Sequence, residues 1–99
     1  MKIYKDKELK FEIENNFLDC GTVDAGETKT IEFYVQNDEL SKLYDLSFKV
    51  ENKEVEIIEY PKELSSLEVK SLIIKCLPDV NLRRKVEARI DIIGKELWE

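Results

Sequence analysis

Tyr44-Asp45-Leu46-Ser47-Phe48-Lys49-Val50 places Tyr44, Leu46, Phe48 and Val50 at every second position, with polar residues between them. On an α-helix these four side chains would spread around the whole circumference. On a β-strand they share one face. The stretch therefore reads as a strand with one face toward a core and one toward water.

The same period of two recurs on either side. Leu9, Phe11 and Ile13 alternate with charged residues, as do Val86, Ala88, Ile90 and Ile92. Ile31, Phe33 and Val35 alternate with Glu32, Tyr34 and Gln36. Leu72, Ile74 and Cys76 form a more apolar run. Turn signals fall between these runs: Asp6-Lys7, Asn15-Asn16, Asp24-Ala25-Gly26, Asn37-Asp38-Glu39, Glu51-Asn52-Lys53, Pro61, Pro78-Asp79 and Ile93-Gly94-Lys95. Asn52 is expected to supply a left-handed turn residue. Asp6-Lys7 is expected to fold Ile3-Tyr4 back on Leu9, and Gly94 to turn the chain into a short final strand, Glu96-Leu97-Trp98. Lys62–Val69 is too short for a stable helix and reads as a connection containing one turn. Strands that recur with turn signals between them predict an all-β, immunoglobulin-like antiparallel sandwich of about seven to eight strands. With 99 residues and neither an internal repeat nor a linker, residues 1–99 read as a single domain.

Charge and composition narrow the function. The net charge is −6, and the one basic run, Arg83-Arg84-Lys85, is surrounded by acidic residues. Nucleic acid binding needs a concentrated basic surface, so it is not expected. No apolar run approaches the ~18 residues of a membrane span, and the first residues, Met1-Lys2-Ile3-Tyr4-Lys5-Asp6, carry no signal-peptide core. The expected setting is the cytoplasm, or a virus particle assembled there.

Leu18-Asp19-Cys20-Gly21-Thr22-Val23-Asp24-Ala25-Gly26-Glu27-Thr28, followed by a strand that ends at Asn37, resembles the opening of the ASPM–SPD-2–Hydin (ASH) and major-sperm-protein group of immunoglobulin-like domains. Pro61-Lys62-Glu63-Leu64, the run from Glu68 to Pro78 and the closing Ile90-Asp91-Ile92-Ile93-Gly94 are similar to the later half of that group. Cys20 stands where the group usually has Phe. The resemblance implies a structural or docking module. A copy of this length looks like the small accessory proteins encoded among phage and prophage structural genes. On this reading Gly21 lets the backbone leave a crowded strand edge, and Gly26 supplies a positive φ in a turn.

Reactive chemistry is sparse. Histidine is absent, which removes the commonest general base and metal ligand. There is no Ser-x-x-Lys pair, and Gly21, Gly26 and Gly94 form no phosphate loop. Two cysteines cannot complete a tetrahedral zinc site. Asp38, Glu39 and Asp45 do not have the spacing of a calcium loop. No cofactor, metal or catalytic residue is expected, and the chain reads as a non-enzyme. Cys20 and Cys76 are separated much as the two halves of an immunoglobulin inter-sheet disulfide are. However, Cys20 precedes the strand that would be strand B, and the tryptophan that packs on such a bridge is missing, so two buried thiols are expected. Tyr34, Tyr60 and Trp98 are the candidate partner-binding aromatics. The expected partners are proteins, through self-association or virion assembly, with a carbohydrate- or ligand-binding sandwich as the alternative.

Overall fold

The computed structural model describes residues 1–24, 26–77 and 84–97. They form seven strands: β1 (Lys2–Tyr4), β2 (Phe17–Val23), β3 (Lys29–Gln36), β4 (Lys42–Val50), β5 (Val55–Glu59), β6 (Val69–Cys76) and β7 (Arg84–Leu97). The strands make two antiparallel sheets. One has the order β1-β3-β6-β5 and the other β2-β7-β4. If β2 is taken as an insertion after the first strand, the larger sheet has the A-B-E-D order of immunoglobulin constant domains. In the smaller sheet β4 and β7 stand where strands C and F do. The Pro78-Asp79 turn, Ala25, Arg83 and Trp98 lie outside the described residues.

The sheets face each other across a continuous apolar core. Leu18, Cys20 and Val23 of β2, Phe48 of β4, and Val86, Ala88 and Ile90 of β7 meet Phe33 and Val35 of β3 and Leu72, Ile74 and Cys76 of β6. These are the inward positions of alternating strands, as expected for two sheets each wetted on one side.

Several local expectations are overturned. Leu9, Phe11 and Ile13 do not form a strand. The Asp6 carboxylate accepts the amides of Lys10 (3.0 Å) and Phe11 (2.8 Å), and Leu9 takes φ 60°. Local side-chain bonding thus wins over strand pairing, and Phe11 is left 64% exposed while Ile13 is buried. Ile3 pairs with Val35, and its carbonyl accepts the amide of Ile13 and not of Leu9. Asn52 is not left-handed. Its Oδ1 accepts the amide of Glu54 at 2.9 Å, and its Nδ2 donates to the carbonyl of Glu87 at 2.8 Å. The true left-handed pair is Asn15-Asn16, at φ 53° and 58°, closed by the amide of Phe17 on the carbonyl of Glu14. In β4 the pairing slips between Tyr44 and Ser47, with Asp45 at φ 51°. This bulge resets the parity, so Leu43 is buried and Tyr44 is only half-buried.

Gly94 makes no turn. It lies inside β7, which runs unbroken from Arg84 to Leu97. A Cβ placed on Gly94 would come within 2.4 Å of Leu46 Cδ2. The glycine is therefore explained by the close approach of a neighbouring side chain.

The two cysteines are joined. Cys20 on β2 and Cys76 on β6 form a disulfide between the sheets, with Cα atoms 6.6 Å apart. The expectation of free thiols fails because β2 belongs to the sheet opposite β6. A bulge between Asp19 and Gly21, with Gly21 at φ 71°, keeps both Cys20 and Val23 inward. Cys20 therefore faces Cys76 across the seam, within bonding reach.

Asn37, at the end of β3, is fully buried. Its Nδ2 donates to the carbonyls of Ser41 (2.7 Å), Leu64 (3.1 Å) and Ser65 (3.1 Å), and its Oδ1 accepts the amide of Glu39 (3.0 Å). One side chain thus ties the β3–β4 connection to the loop between β5 and β6. That loop holds no helix. Leu64 within it bridges Leu43, and a turn closes from Ser65 to Glu68.

Candidate docking surface

β7 is longer than either of its neighbours. Its first part pairs with β2, from Arg84 opposite Val23 to Arg89 opposite Phe17. Its second part pairs with β4, from Ile90 opposite Val50 to Leu97 opposite Lys42. The two neighbours lie on opposite edges. The amide of Ile90 bonds to the carbonyl of Asn16, while Val50 stands across Ile90 on the other side.

Backbone parity then identifies the open stretch. Both register shifts place the extra residue on β2 or β4, so β7 itself is regular. Its even-numbered residues point their N–H and C=O groups toward the β2 edge, and its odd-numbered residues point theirs toward β4. Beyond Ile90 that first edge has no strand beside it. Among the described residues, Ile92, Gly94 and Glu96 have no backbone partner there. The outer strands of the two sheets are β1 and β5 in one and β2 and β4 in the other. β1 has three residues, and the outer side of β4 is tied down where Leu43 exchanges bonds with Leu64 and Leu46 donates to the carbonyl of Lys62.

The outward face beside this edge is partly apolar. Ile93 is 63% exposed, Leu97 51%, and Phe17, opposite Arg89, 48%. Charges of both signs separate them. Lys95 pairs with Asp45 at 3.4 Å, Arg89 with Asp91 at 3.8 Å, and Lys85 reaches Asp19 at 3.5 Å. The amide of Gly21, 2.8 Å from Asp19, holds the Asp19 carboxyl below its ordinary range, with help from Lys85.

The aromatic candidates do not converge. Tyr34 lies on the outer face of the larger sheet, opposite Tyr4, and its hydroxyl donates to Glu32. That bond to a carboxylate raises the Tyr34 pKa. Tyr60 follows β5 and packs its ring on Phe48, 5.4 Å between centroids. It borders an open groove of about 580 Å³ with Ile58, Lys62 and Lys70. Trp98 lies outside the described residues. In comparisons with family models, curated proteins and solved structures, nothing matches this chain. Among the described residues, no three acidic or sulfur ligands converge on a metal position, and no helix is long and apolar enough to cross a membrane.

The sequence reading missed Ile93, Leu97 and Phe17. The signal was present in Ile92-Ile93, two adjacent apolar residues in an otherwise alternating strand. One must face out, and Ile93 does.

Proposed function

We propose that this chain is a non-enzymatic docking module that takes up an extended partner strand along the open edge of β7. The supporting observation is the run from Asp91 to Leu97, whose edge-facing backbone groups have no partner among the described residues and whose outward side is apolar at Ile93 and Leu97. Free backbone groups on a sheet edge give affinity to an added strand, and alternate side chains give specificity. The resemblance to ASH-like domains is in line with this reading, as is a role as a phage accessory protein.

The Cys20–Cys76 bond favours an oxidising setting, such as a particle or cell surface, over the reducing cytoplasm expected from the sequence. Selection of displayed extended peptides against the wild type, with counter-selection on Glu96→Pro, tests the docking role. Proline at Glu96 removes an edge-facing N–H at a place where an edge strand tolerates it. Peptides that bind the wild type and not the variant support the reading. Failure to recover any such peptide refutes it.

A further inference from the structure

We infer that the strand received by β7 is β7 of a second copy, paired antiparallel about a twofold axis at Gly94. The inference rests on the docking role proposed above and names its partner.

The open edge offers Ile92, Gly94 and Glu96 as its bonding residues, and pairing at Ile90 is already taken by Asn16. Antiparallel self-pairing that uses all three reciprocally has one register. Gly94 bonds Gly94 of the other copy, and Ile92 exchanges bonds with Glu96 in both directions. A register centred on Ile92 would need the occupied Ile90 position. At the axis stands a residue with no side chain, where two backbones approach.

Charge agrees with this register. Asp91, Lys95 and Glu96 place no like charges opposite one another, because Glu96 faces Ile92 and Lys95 faces Ile93. Lys95 lies diagonal to Asp91 of the other copy on one side and to its Lys95 on the other, within reach of a long side chain. Leu97 comes opposite Asp91, and the two Ile93 side chains sit near the axis on the same outward face. At the junction four strands lie side by side, β4-β7-β7-β4, with each β2 on the same edge as the partner β7 and farther along. An overall charge of −6 on each copy opposes indiscriminate association, so the local balance of the strip carries the selectivity. One strand pair is small beside a standard interface, so a weak, concentration-dependent dimer is expected.

Sedimentation equilibrium on the oxidised full chain, from about 5 µM to about 1 mM, reads this directly. A dimer is expected within that range. Glu96→Pro removes two symmetry-related hydrogen bonds and should weaken association at least about tenfold, while the melting temperature at the lowest concentration stays that of the wild type. Lys95→Asp should weaken it by placing two acids on the diagonal, and adding Asp91→Lys should restore it. A strict monomer at the highest concentration overturns the inference, as does a dimer indifferent to Glu96→Pro. If such a monomer still selects Glu96-dependent peptides, the docking role survives and only the second copy is refuted.

Discussion

Reducing the Cys20–Cys76 bond should cost this domain about 4 kcal/mol of its folding free energy, roughly a quarter to four-fifths of the total. The bond closes a loop spanning 56 positions and links two strands of opposite sheets, both cysteines being buried. Loop-closure entropy for a cross-link of that span amounts to about 4 kcal/mol at 25 °C, against total stabilities of roughly 5–15 kcal/mol for ordinary domains. Reduction leaves every side chain in place, so it isolates the cross-link from the cavity that Cys→Ala replacement would add. In guanidinium chloride, with a slope near ~2.5 kcal/mol/M for a chain of this size, the midpoint should fall by about 1.5 M. The slope should rise at the same time, because the reduced unfolded chain expands and exposes more surface. Two assays suffice: denaturation curves with and without reductant, and a thiol count on denatured, unreduced protein. The count should be zero. Curves that coincide within ~0.5 kcal/mol would refute the reasoning, because a bond between sheets with this loop must restrict the unfolded chain.

Asn37→Ala should destabilise the fold by about 3 kcal/mol, since it strips the carbonyls of Ser41, Leu64 and Ser65 of their shared donor where Asn37 is fully buried; chemical denaturation measures it. Gly94→Val should cost about 1–3 kcal/mol by driving a branched side chain into Leu46, whereas pairing it with Leu46→Ala should recover part of that loss. Stability should fall on acidification below about pH 4. The folded Asp19 carboxyl is held down first by the amide of Gly21; at Asp6 burial pushes upward, but the amides of Phe11, Lys10 and Asp6 itself, with the charge of Lys10, together hold the carboxyl down. Because both folded values lie below the unfolded ones, their contribution is complete above the unfolded pKa and is lost as pH drops through the folded pKa. Denaturation midpoints from about pH 7 to pH 3 should show a shallower acid slope in Asp19→Asn.

The strand content of this protein is written in its sequence because side-chain alternation is a local property. Ile31-Phe33-Val35 and Leu72-Ile74-Cys76 could bury one face only as pleated strands, and both are strands in one sheet, Phe33 opposite Leu72. The turn at Asn15-Asn16 and the end of β3 at Asn37 were equally legible from residues with special backbone or bonding capacity. Leu9-Phe11-Ile13 shows the limit of alternation, since a single carboxylate at Asp6 captured its amides. Which sheet a strand joins is not a local matter. β2 carries the same alternation whichever neighbour it has, and only its transfer beside β7 brought Cys20 across from Cys76. The open edge of β7 has the same origin. It arises because β2 begins only at Phe17, opposite Arg89, while β7 continues to Leu97, a mismatch of lengths between segments far apart in the chain, and pairing energy is decided between strands and not within them.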